Sequence, residues 1–250
     1  MSPGLHDQTR NTAGPLLEPS SIMTIGAHPD DAEFGAGATL FTWTTSGADA
    51  TIVIATDGSK GSWDPQIDHA DLVAQRRREQ MSAAEVLGAT SVAWLGQPDG
   101  ELRHTQPLRK ALVALIRKHR PDVVLTHDPW QRYQLHPDHR AAGLLAVDAV
   151  VAAREPRFYT EMRYEAHRPN AVLLWSADGP DHAEPVDDRS FDAKVEALLC
   201  HTSQSETTMG NAAASGTERE RFARQIDEHL RHGGEAFGFD RAETFKRLTP

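Results

Sequence analysis

The stretch Gly26-Ala27-His28-Pro29-Asp30-Asp31-Ala32-Glu33-Phe34-Gly35 decides the reading of this chain. It follows an apolar run at residues 22–25 that reads as a buried strand. It leads into residues 37–43, which read as the body of a helix. One imidazole and two adjacent carboxylates therefore stand at the carboxyl end of a strand, just before a helix. In open α/β sheets the ligand crevice lies outside those strand ends.

A second cluster, His136-Pro137-Asp138-His139, lies about a hundred residues further on, after another apolar strand at residues 123–126. Two His/Asp clusters at two strand ends can converge on one metal ion. Between and beyond them, the pattern alternates. Strands are expected at residues 22–27, 50–55, 91–95, 122–126 and 171–175. Helices are expected at 33–46, 71–87, 106–119, 138–152, 191–200 and 217–231. Gly47 and Gly88 stand where helices should stop, and Pro121 breaks the one before it. Strands alternating with helices predict a Rossmann-like three-layer α/β/α fold around a mostly parallel sheet. Residues 1–20, with Gly, Pro, Asn and Ser and little periodicity, read as a loose leader. Residues 21–250 read as one domain, since no linker long enough to separate two is visible.

Composition narrows the function. The chain has 250 residues and a formal charge of −10, which argues against a general surface for nucleic acid or anionic membrane. Cys200 is its single cysteine, so an intrachain disulfide and a thiolate zinc cage are both excluded. No apolar run approaches the roughly 18 residues of a membrane span, and no signal-peptide core is visible. A cytoplasmic protein is expected. The sequence leaves a homo-oligomer open.

Catalytic zinc commonly has three protein ligands of the His/Asp/Glu type and one open position. His28, Asp31 and His139 offer that triad, with Asp30 and His136 beside it. Water held by such a metal has a pKa near about 7, so a neighbouring carboxylate such as Asp30 can take its proton. Each cluster also has a plainer reading. Asp is a preferred helix cap, and His-Pro-Asp-His suits a turn. Finding both clusters after strands favours the metal. The glycines of Phe34-Gly35-Ala36-Gly37 come too late for a dinucleotide loop and suit close helix-to-sheet packing. Of the run Arg76-Arg77-Arg78, Arg76 and Arg78 fit a solvated helix face, and Arg77 is the one functional candidate. Asp99 lies in Pro-Asp-Gly, itself a turn former.

The segment AHPDDAEFGAG together with HPDH resembles the LmbE-like, or PIG-L-like, zinc-dependent de-N-acetylases. ATDGSKGS, RRREQMSAAEVLG, LGQPDGEL, HTSQ at residues 201–204 and AETFKRL add to the resemblance in the same order, from about residue 22 to 248. The resemblance implies that His28, Asp31 and His139 bind Zn2+, or another divalent metal, and that Asp30 is the general base. It implies that His136 stabilises the oxyanion or protonates the leaving amine, with Asp138 orienting it. It also implies that Arg77 and Asp99 contact sugar hydroxyls. Some relatives acting on inositol-linked sugars carry a tyrosine two residues before the first histidine of HPDH; here Gln134 stands there, with Tyr133 beside it. The expected activity is hydrolysis of an N-acetyl amide on an amino sugar, with no nucleic-acid or membrane partner. The alternatives are an amidase acting on a thiol-sugar conjugate or antibiotic intermediate, and a metal-binding protein without catalysis.

Overall fold

The computed structural model describes residues 19–250. The expected leader therefore lies outside the described residues except for Pro19 and Ser20. Ser20 is tied down: its N–H donates to Asp122 and its carbonyl accepts from Asp49.

The strands are β1 (Ser21–Gly26), β2 (Asp49–Thr56), β3 (Ser91–Gln97), β4 (Val123–His127), β5 (Ala171–Trp175), β6 (His182–Pro185) and β7 (Ala242–Leu248). The helices are α1 (Asp31–Thr45), α2 (His69–Val86), α3 (Gln106–His119), α4 (Pro137–Arg154), α5 (Asp188–Leu199) and α6 (Gly216–Glu235). The sheet order is β3-β2-β1-β4-β5-β7-β6. The first five strands are parallel, and β7 runs antiparallel to both β5 and β6. β6 and β7 were not expected from the sequence. Their short, charge-bearing segments, HAEP and AETFKRL, lack the long apolar run of a buried central strand.

Alternation along the strands builds a core on each face. Met23, Ile25 and Val53 pack with α3 and α4 through Leu112, Ile116, Leu145 and Val150. Ile22, Ile52 and Ile54 turn the other way and meet Leu40, Trp43, Ala83 and Ala84 of α1 and α2. Side chains of one strand alternate between faces, so each strand serves both layers. The order reverses between β1 and β4. That switch point opens a crevice at the carboxyl ends of both strands, and both His/Asp clusters sit in the segments that leave those ends. Among the described residues no helix is long and apolar enough to cross a membrane.

One helix is broken. Ala36 inside α1 has φ −153 and ψ 22, outside helical space. Two buried side chains satisfy the backbone groups freed by the break, as buried polar groups require. Lys194 Nζ donates to the carbonyls of Glu33 and Phe34 at 2.9 and 2.6 Å. The Glu243 carboxylate accepts from the N–H groups of Ala38 and Thr39 at 3.1 and 2.8 Å. Gly35 lies just before the break and packs on Trp175; a Cβ there would come within 2.4 Å of the indole. The glycine of the FGAG run thus permits close approach of helix to sheet.

Candidate metal centre and active site

β1 delivers His28, Asp30 and Asp31 to the crevice. Asp30 caps α1 with φ 100, a left-handed conformation that a residue with a side chain adopts at a cost of about 1–3 kcal/mol. Three interactions hold it there. Its N–H donates to Gln80 Oε1 at 3.1 Å, Arg76 Nη2 lies 3.4 Å from its carboxylate, and the same nitrogen donates to the Pro29 carbonyl at 2.7 Å. Gln80 in turn donates to Glu33 at 2.6 Å. Burial pushes the Asp30 carboxyl up to about 6, and the charges of Arg76 and His201 only partly offset that.

Asp31 folds back beneath the strand end. Its Oδ2 accepts the N–H groups of Ala27 and His28 at 2.8 and 2.7 Å. Gly26 makes room for this, since a Cβ there would come within 2.9 Å of Asp31 Cβ. The other oxygen, Oδ1, lies 3.5 Å from His139 Nε2. Burial pushes the Asp31 carboxyl up, but His127, His28 and His139 outweigh it and hold the group well below the usual carboxylate range.

His28 Nε2 faces two acceptors, Asp99 Oδ1 at 3.2 Å and Asp138 Oδ2 at 3.3 Å. It therefore carries the ring proton toward them, which leaves Nδ1 on the Asp31 side, 3.6 Å from Oδ2. Burial lowers the pKa of His28, but in the metal-free protein Asp138, Asp31 and Asp99 outweigh it and raise the pKa well above the ordinary value, so a cation bound at Nδ1 would displace a proton there. The same contact counters burial at Asp99 and brings that carboxyl down to about 2. His139 comes from the first turn of α4, and burial brings its imidazole down to about 4, so its lone pair is available. His136 caps α4: its Nδ1 accepts the Asp138 N–H at 3.3 Å. A ring that accepts at Nδ1 is neutral and carries its proton on Nε2.

Asp31 lies 3.6 Å from His28 and 3.5 Å from His139, whose ring centroids are 5.2 Å apart, and the donor chemistry of the three, two imidazoles and one carboxylate oxygen, fits a divalent metal. Among the described residues, the trios whose ligand atoms all lie within 4.8 Å of one another are His28–His136–His139, Asp31–His127–His139 and His28–Asp99–Asp138; the expected triad spans the first two, which share His139, and is not itself one of them. His28, Asp31, His127, His136 and His139 line one cavity of about 780 Å³ with Arg76, Asp99 and Trp63, within the roughly 300–1,000 Å³ of small-molecule sites.

Two expectations need correction. Arg77 does not line this cavity. It is exposed, stacks 5.2 Å above the Trp94 ring and borders a shallow groove with Asp57 and His69. The helical period turns Arg76 inward instead, where it is 3% exposed. Asp138 does not orient His136 with its carboxylate. Its oxygens accept from Gly100 N at 2.7 Å and Leu102 N at 3.1 Å and face His28. Only its backbone N–H reaches His136. Asp99 does line the cavity, but Oδ1 faces His28 and Oδ2 accepts the Lys60 N–H at 3.0 Å. Tyr133 is 87% exposed and is absent from the cavity wall.

The structure adds His127, Arg76 and Gln80, which the sequence motifs do not single out. β4 runs one residue further than expected, to His127, which puts a second imidazole at a strand end. A histidine directly after a buried apolar run was the available signal. His201, fully buried, faces Glu33 Oε2 across 3.8 Å and does not reach the metal donors.

Residues 23–150 match the family model described as PIG-L, GlcNAc-PI de-N-acetylase. The chain is 35% identical over 193 residues to the diacetylchitobiose deacetylase of Thermococcus kodakarensis, covering 76% of this chain and 72% of that one. It is 34% identical over 162 residues to the 1D-myo-inositol 2-acetamido-2-deoxy-alpha-D-glucopyranoside deacetylase of Mycobacterium leprae, of whose length it covers 52%. The fold is similar to the N,N'-diacetylchitobiose deacetylase of Pyrococcus horikoshii solved with its inhibitor MPG. The TM-score is 0.84 at 27% identity, over 95% of this chain and 87% of that one. With half of its length matched by the family model and its two His/Asp clusters joined at one switch point, this chain belongs to the PIG-L family.

Proposed function

We propose that the protein is a Zn2+-dependent hydrolase that removes the N-acetyl group of an amino sugar, releasing acetate and a free amine. His28 Nδ1, Asp31 Oδ1 and His139 Nε2 would hold the ion. The observation that carries this reading is the division of labour at Asp31: backbone donors occupy Oδ2 while Oδ1 faces His139. A divalent cation there supplies Lewis-acid polarisation of a carbonyl and lowers the pKa of water. The relatives named above are deacetylases of acetamido sugars by their names, which supports the substrate class.

The chain's own groups supply the rest. Asp30 is buried in the same cavity with its carboxylate steered by Arg76, and it accepts the proton of the attacking water. The neutral His136 offers its Nε2–H as a hydrogen-bond donor to the carbonyl oxygen as negative charge builds there. Carbon–oxygen bond formation is followed by cleavage of the carbon–nitrogen bond. Asp30 then returns its proton to the departing amine, since His136 holds a donor position without an extra proton. Asp99 orients His28, and its wall of the cavity faces the sugar.

The test is acetate release from N-acetylglucosamine, N,N'-diacetylchitobiose and an N-acetylglucosaminyl inositol by Zn2+-loaded protein. Release from at least one, abolished by a chelator and restored by Zn2+, is expected. No release from any of them by protein shown to hold one Zn2+ per chain would overturn the proposal.

A further inference from the structure

Trp175 ends β5 and His127 ends β4, and the parallel register makes them direct neighbours. The indole N–H can only donate. It reaches His127 Nδ1 at 3.0 Å in a buried contact. That nitrogen must then accept, so the neutral imidazole keeps its proton on Nε2. His127 Nε2 lies 2.9 Å from Asp31 Oδ2 and donates to it. Counting the N–H groups of Ala27 and His28, three donors now converge on Oδ2. The carboxylate has nowhere to rotate, and Oδ1 stays turned toward His139. The His127 ring also stacks on the His139 ring, with centroids 4.2 Å apart at an interplanar angle of 16°. One side chain therefore braces two of the three proposed metal donors.

His127 belongs to one of the trios with metal-ligand spacing, yet neither of its nitrogens is free to bind an ion. We propose that His127 is a positioning residue for the metal centre, set in its tautomer by Trp175, and not a ligand. The inference rests on the metal triad assigned above. Outer hydrogen bonds of this kind fix ligand orientation, and their loss commonly lowers metal affinity about 10–100-fold.

The amide of glutamine separates the two roles. It has an acceptor oxygen for the indole N–H and a donor nitrogen for Asp31, but it is a poor substitute for an imidazole ligand. Zn2+ affinity is measured by competition with a chromophoric chelator on the full chain, with thermal unfolding to check folding. His127→Ala should weaken Zn2+ by about 10–100-fold. His127→Gln should restore affinity to within a few-fold of the parent. Trp175→Phe keeps the packing and deletes the N–H. In ¹⁵N-histidine NMR spectra of the metal-free protein, His127 should then lose its single Nε2–H tautomer. Equal, large Zn2+ losses in His127→Gln and His127→Ala would make His127 a ligand and overturn the inference. Unchanged affinity in a folded His127→Ala would overturn it as well. Failure of the parent to bind Zn2+, or retention of Zn2+ by Asp31→Asn, would instead strike the triad itself.

Discussion

Lys194 and Glu243 form a buried ion pair, Nζ to Oε1 2.6 Å, at the break in α1. The two side chains are 2% and 3% exposed, and between them they bind four backbone groups of the broken helix. The break separates the first turn of α1, which carries the cavity residue Asp31, from the rest of the helix. The late segments α5 and β7 thus hold in place the element that carries the site. Removing one member of a buried pair strands the other, at a cost of about 3–5 kcal/mol. Lys194→Met and Glu243→Gln should each lose stability of that order in urea unfolding, and the double variant should lose less than their sum. Single losses below about 1 kcal/mol would contradict this account, since they match a surface pair.

Adjacent arginines of α2 should behave differently. Arg76 donates to the Gly58 and Pro29 carbonyls and faces Asp30, whereas Arg77 lies outside over Trp94. Arg76→Ala should lower kcat by on the order of 10²-fold, the scale of a misplaced reacting group. Arg77→Ala should keep kcat/KM within about twofold, as a surface change far from the chemistry does. Acetate-release kinetics of both variants decide the point, and the opposite ranking would return the role to Arg77.

Asp30 and Asp31 are neighbours of identical chemistry with separate tasks. Asp30→Asn keeps size and polarity but cannot take a proton. It should retain Zn2+ and lose kcat by on the order of 10²–10⁴-fold. Asp31→Asn should lose Zn2+ and recover part of its activity in excess metal. Zinc content measured beside acetate release at pH 7 reads both, and near-parent activity in Asp30→Asn would remove it as the base.

Acid should loosen the contact between α2 and the HTSQ turn. Glu79 accepts from Ser203 N and Oγ, Thr202 Oγ1 and Gln75 Nε2 at 2.6–2.9 Å. Burial pushes its carboxyl up, but these donors outweigh it and hold the group below the ordinary 4.5. A pKa depressed by folding gives stability that is complete above the unfolded value and is lost as pH falls through the folded one. The stability gap between the parent and Glu79→Gln should therefore be constant above about pH 5.5 and shrink as pH falls below 4.5. Urea unfolding from pH 3 to 7 measures it. A gap that widens in acid would refute the assignment.

Much of this is legible in the sequence. The apolar runs of β1, β2, β4 and β5 and the glycine stops at Gly47 and Gly88 are local features, set by period and backbone freedom. They suffice to place His28 and Asp31 after one strand and His136 and His139 after another. The antiparallel strands β6 and β7 are not legible there, because β7 is placed by pairing with β5 and β6, both far from it along the chain.

Local patterns account for the α/β alternation, the two His/Asp clusters and their attachment to strand ends, because periodicity and turn chemistry act over a few residues. Which member of each cluster faces what is set by long-range packing. It turned Arg76 inward and Arg77 outward, since a helix advances about 100° per residue and only packing says which face is covered. It gave the Asp138 carboxylate to His28, and it brought Trp175 to His127 and His127 to Asp31 across β5, β4 and β1. Hydrogen bonds between residues 48 and 96 positions apart are set by strand order and register, which no local pattern encodes.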